Sequence, residues 1–198
     1  GGMAWVKCRN SSLFAHQVGD TERGANNNLS TDSTAQNYTH SGKFTAFNSD
    51  GFTLGTNGAV NNSSSQTYCS WTFRKAPGFF DVVTYTGDGT SNRPIAHSLG
   101  STPGMIWVKR TDSTGDWSVW HRDTHAAWTG GTTAGDSTGG NTTGKFLLNT
   151  TAAYDSGAGH YTFVNSTHFG VYYTNLELNI NGASYVAYVF AHDDQSFG

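Results

Sequence analysis

The stretch Gly2-Met3-Ala4-Trp5-Val6-Lys7 is written again, one residue changed, as Gly104-Met105-Ile106-Trp107-Val108-Lys109. The two hexamers stand 102 residues apart, and the same spacing carries Gly42-Lys43-Phe44 onto Gly144-Lys145-Phe146. Further along, the spacing becomes 117: Asn48-Ser49 falls on Asn165-Ser166, Phe52 on Phe169, Tyr68 on Tyr185 and Phe73 on Phe190. Self-similarity of this kind is a statement about architecture. It predicts two tandem copies of one unit, residues 1–76 and 77–198, the second having gained 15 residues somewhere after Phe146. Asp20-Thr21 and Asp123-Thr124 correspond with a one-residue slip.

Composition restricts what such a unit can be. Gly, Ser, Thr and Asn dominate the 198 residues, and Glu occurs only at Glu22 and Glu177. That mixture disfavours helices. Aromatic residues make up 14% and sit in short runs with β-branched neighbours, which disordered segments lack. Strands are expected at Met3–Cys8, Phe44–Phe47, Tyr68–Phe73, Phe79–Thr86, Met105–Arg110, Trp117–His121, Lys145–Asn149, Phe169–Tyr173 and Tyr185–Ala191, each bounded by Gly, Asn, Asp or Ser. Many short strands with long polar loops predict an all-β protein, an antiparallel β-sandwich of jelly-roll type. The repeated aromatics Trp5, Trp107, Phe52, Phe169, Phe73 and Phe190 read as core.

The segment from Asp81 to Thr90, followed by His97-Ser98-Leu99-Gly100, leads into the second copy and has no equivalent before the first. A unit lacking its opening strand exposes a sheet edge. The expectation is that the missing strand lies upstream in a longer polypeptide or comes from a neighbouring chain. The first residue is Gly, which fits a processed product or a fragment.

The formal charge of -3 supplies no basic patch for nucleic acid, and neither a polybasic anchor nor a membrane-length apolar run is present. Cys8 and Cys69 both fall in the first copy; they are either a disulfide between neighbouring strands or simply small buried residues. No HExxH or CxxC occurs, and nothing calls for a metal or other cofactor. His121 and His125 are four apart in a loop, not on a helix. Asn26-Asn27-Asn28 and Asn48-Ser49-Asp50-Gly51 offer oxygen atoms suited to Ca²⁺, but Asx-turns explain them more simply. A glycosidase needs a carboxylate pair, and Asp20 with Asp123 would be its best source; Asp-Thr at a strand end is more commonly a turn. The reading is therefore non-enzymatic.

Binding is the more plausible chemistry. Trp117, Trp120, His121, Arg122, Asp123, His125 and Trp128 combine aromatic platforms with polar groups, the ingredients of a carbohydrate or receptor site. Trp120 and Trp128 lack aromatic counterparts in the first copy, which makes them better functional candidates than the repeated aromatics; the alternative is that these rings fill core or a subunit contact.

Val82 to Thr90, His97 to Gly100, Pro103 to Lys109 and Tyr185 to Phe190 together resemble a repeat domain found in tail-fibre-like and minor structural proteins of bacteriophages, particularly marine and cyanobacterial ones. The likeness covers nearly the whole chain; the second copy departs from it at Val164 to Val171, where the first keeps Phe47 to Gly55. It implies a concanavalin A-like sandwich on a virion surface, with other virion subunits, a homo-oligomer and a host glycan or receptor as partners, and no nucleic acid or membrane. A purely architectural capsid-decoration or fibre role, or a bacterial surface adhesin, are the alternatives.

Overall fold

A computed structural model describes residues 1–61, 64–122, 144–156, 160–172 and 178–192. The described residues form strands joined by turns, without helix, and all strand pairs are antiparallel. In chain order the strands are β1 (Gly2–Cys8), β2 (Gln17–Asp20), β3 (Asn27–Asn28), β4 (Tyr38–Thr39), β5 (Phe44–Phe47), β6 (Phe52–Leu54), β7 (Tyr68–Arg74), β8 (Phe80–Thr86), β9 (Arg93–Ala96), β10 (Pro103–Arg110), β11 (Trp117–His121), β12 (Phe146–Leu147), β13 (Tyr161–Val164), β14 (His168–Val171) and β15 (Ser184–Ala191). They make a five-stranded sheet β12-β11-β10-β15-β8, two three-stranded sheets β2-β1-β7 and β13-β14-β9, and the pairs β3-β4 and β5-β6.

The two hexamers are β1 and β10, and each is apolar at nearly every position because both its faces are covered. In β10, Ile106 and Val108 join Tyr161, Val164, Phe169 and Val171 beneath the β13-β14-β9 sheet. Trp107 and Met105 point the other way, toward Met3, Trp5, Val18 and Phe73 of the β2-β1-β7 sheet. On the far side of that sheet, Ala4 and Val6 pack with Phe44, Val60 and the half-buried Phe47, Phe52 and Leu54. Strand alternation thus splits each hexamer between two clusters. The middle cluster is shared by both halves of the chain, where Trp5 meets Trp107 edge-on at 5.7 Å and Phe73 meets Phe190 at 5.4 Å.

β1 and β10 are paired alike. Met3 lies opposite Phe73 and Met105 opposite Phe190; Trp5 lies opposite Trp71 and Trp107 opposite Tyr188. The hairpins correspond as closely. β5-β6 and β13-β14 each shift register once, between Phe44 and Ala46 and between Tyr161 and Phe163, positions 117 apart. Their turns close with Asn48 N donating to Gly51 O at 2.7 Å and Asn165 N donating to His168 O at 2.9 Å.

Three sequence expectations need correcting. Phe44 opens a hairpin, whereas Phe146 lies in the edge strand β12 opposite Val119, so the match of Gly42-Lys43-Phe44 to Gly144-Lys145-Phe146 is not structural. Phe44 corresponds to Tyr161, and the extra length of the second half falls before β12. Register also sets Asp20 opposite Met3 and His121 opposite Met105, making His121, not Asp123, the counterpart of Asp20. Of the two readings of Cys8 and Cys69, the structure has the one without a disulfide: both are free. Cys69 lies opposite Lys7, and Cys8 opposite Tyr68, so the two side chains project from opposite faces of the sheet.

Candidate functional site

Tryptophans at the end of β11 were the leading candidates for a sugar platform. The structure puts them inside. Trp117 is fully buried, its indole Nε1 donating to Ser30 O at 2.9 Å and its ring stacked on Tyr188. Trp120 points to the opposite face and is buried in the cluster with Tyr161 and Ile106. Neither ring presents a face to a ligand. His121 is half-buried and Arg122 exposed at the end of the strand; Asp123, His125 and Trp128 lie outside the described residues.

Trp120 lacks an aromatic counterpart for a packing reason. Register places it opposite Ile106, and its equivalent Gly19 opposite Ala4. A Cβ on Gly19 would come within 2.6 Å of the Phe44 ring. The first half therefore keeps glycine beneath the Phe44 ring, while the second seats Trp120 in the cluster with Tyr161, the counterpart of Phe44.

Other polar candidates are engaged in holding the fold. Asp20 is fully buried; its carboxylate receives Arg23 Nε at 2.6 Å and Tyr188 OH at 2.7 Å, while Arg23 also donates to Asn37 Oδ1 at 2.8 Å. Burial pushes the Tyr188 phenol well above its ordinary value. Asp81 accepts from Ser98 N at 2.6 Å and faces Lys75 Nζ at 3.0 Å. Lys43 donates to Gln17 and Tyr38, and burial lowers its pKa to about 8. His160, its counterpart in the second half, is lowered to about 4 by burial and by Lys145. Among the described residues no three His, Cys, Asp or Glu side chains gather as a metal would require.

What the structure does open to solvent is a groove of about 480 Å³ between the β5-β6 turn and the ends of β1 and β7. Ala4, Phe47 and Phe52 give it an apolar wall; Thr21, Asn48, Asp50, Thr72 and Arg74 also line it. Alongside runs β7, the last strand of its sheet, carrying Trp71 at 45% exposure against Trp5 at 5.0 Å. No residue type in the sequence signals this groove.

Fold and site together define an all-β protein of several antiparallel sheets whose buried polar groups serve structure and whose open feature is a sheet edge with an adjoining groove. The chain belongs to a family described as a domain of unknown function, DUF7483, whose model matches residues 1–197. No curated protein and no solved structure matches it.

Proposed function

We propose that the chain is a non-enzymatic structural module of a bacteriophage virion, part of a tail fibre or surface appendage, built from two tandem concanavalin A-like sandwich units. The observation that carries this reading is one pairing scheme used twice: β1 between β2 and β7, β10 between β11 and β15, with a hairpin bulged at the same place over each. Repetition of a unit is the economical way to lengthen an appendage. The burial of Asp20, Asp81 and Lys43 in structural hydrogen bonds or ion pairs also favours a scaffold over an enzyme.

Host recognition, on this reading, belongs to the segment after β11, where exposed Arg122 leads to Asp123, His125 and Trp128, and not to Trp117 or Trp120. Immunogold electron microscopy with antibodies to residues 1–198 tests the assignment. Label on an appendage of intact particles is expected; label only on uninfected cells would replace it with the adhesin reading. A multivalent glycan array with wild type and Trp128→Ala then tests the recognition step, with binding lost in the variant. Absence of any glycan bound by the wild type leaves the architectural role alone.

A further inference from the structure

In the second half, two strand edges are covered by one continuous segment. β8 pairs along β15, β9 pairs along β14, and the chain then folds over the β13-β14 turn, His97 N donating to Thr167 O at 2.9 Å. Leu99 follows, fully buried in the cluster that holds Ile106, Val164, Phe169 and Val189.

In the first half, the equivalent edges belong to β7 and β6, each the last strand of its sheet. Trp71, which stands where Tyr188 stands, is 45% exposed while Tyr188 is 0%. The groove between these edges is lined by Ala4, Phe47, Phe52 and Thr72. By the spacings of 102 and 117, these are the counterparts of Ile106, Val164, Phe169 and Val189. The cavity lies where the second half keeps Leu99.

We propose that β7, β6 and the groove form a single socket for an extended peptide segment of the Phe80–Leu99 pattern, donated from outside residues 1–198. One strand of the donor adds to β7 antiparallel, the next adds to β6, and an apolar side chain at the Leu99 position fills the groove. Backbone pairing supplies affinity and the groove supplies register, as in other strand-addition complexes. The inference rests on the two-unit reading of the fold, but not on a virion location.

The test uses the chain with a synthetic peptide of its own sequence Phe80–Gly100, followed by hydrogen exchange resolved along the sequence. Protection is expected in Tyr68–Arg74 and Phe52–Leu54, with the chain remaining monomeric and its thermal midpoint raised. A peptide carrying Leu99→Asp is expected to bind at least about tenfold more weakly, since it puts a charge into an apolar seat. No protection of β7 at millimolar peptide, or equal protection by a scrambled peptide, would overturn the proposal. So would protection of β7 that rises with protein concentration in the absence of peptide, which would make a second copy of the chain the occupant. None of these readouts depends on whether antibodies label a particle, so the socket and the virion assignment fail separately.

Discussion

The two outer clusters of this molecule are built on equivalent strands and finished to different degrees. Among the described residues, the cluster beneath β13-β14-β9 holds fourteen buried side chains, Leu99, Phe169 and Trp120 included. The cluster beneath β5-β6 holds four, and Phe47, Phe52 and Leu54 beside them remain half-buried. Part of the difference is one segment, β8 to Leu99, which pairs along β15 and β14 and brings Ile95 and Leu99 into the cluster. The rest is composition: Trp120, Ala187 and Val189 stand where the first half has Gly19, Ser70 and Thr72.

The largest test of that contrast is a matched truncation. Phe169→Ala removes a ring from the complete cluster and is expected to cost about 3–5 kcal/mol. Phe52→Ala, its counterpart in the open cluster, should cost about half as much, because its ring already meets the groove. Chemical denaturation of both variants measures the difference. Equal losses would mean that the first half is as well sealed in solution as the second.

Next in size is Gly19→Ala. Its new Cβ has the Phe44 ring in its way, so a loss of about 1–3 kcal/mol is expected. The double variant Gly19→Ala with Phe44→Leu should recover part of it, giving a coupling that a double-mutant cycle detects. Additive losses would refute the Phe44 ring as the reason glycine stands at position 19.

Much of this arrangement could be read in the sequence and some could not, for definite reasons. β1, β10, β11 and β15 were legible because apolar and β-branched residues run through them. β2 was not, since Gln17-Val18-Gly19-Asp20 has little strand propensity and is held by pairing to β1 and by buried partners of Gln17 and Asp20. β9, with Pro94 in its middle, reads as a breaker and survives at a sheet edge. The inward direction of Trp117 and Trp120 was hidden because both faces of their sheet are buried, so alternation carried no inside-outside signal.

A smaller effect compares titratable groups at equivalent positions. The fold holds His160 at about 4, below its ordinary 6.5, because burial and Lys145 disfavour the charged form. The unfolded chain takes up a proton below about 6.5 and the fold does not until about 4, so stability falls as pH drops through that window and levels off beneath it. Lys43, lowered from 10.5 to about 8, makes the same argument at the other end: stability rises between about pH 8 and 10.5 as the unfolded chain loses its proton. Thermal midpoints of wild type, His160→Gln and Lys43→Met across these ranges check both limbs. Each variant should flatten its own limb and leave the other in place.

The smallest expected effect is the most informative about the open edge. Trp71→Ala removes a ring tilted against Trp5 but already 45% exposed, so the isolated chain should lose about 1 kcal/mol or less. Tyr188, at the equivalent position, is wholly buried and gives its hydroxyl to Asp20, so Tyr188→Ala should cost several times more. The asymmetry follows from whether a strand lies beside the residue. It therefore predicts its own reversal: once the β7 edge is paired, Trp71 becomes a covered side chain, and Trp71→Ala should then cost a fraction approaching that of Tyr188→Ala. Measuring the Trp71→Ala loss with and without the Phe80–Gly100 peptide reads that change directly. A loss that is already large without peptide, and grows with protein concentration, would show that β7 recruits a copy of the chain itself.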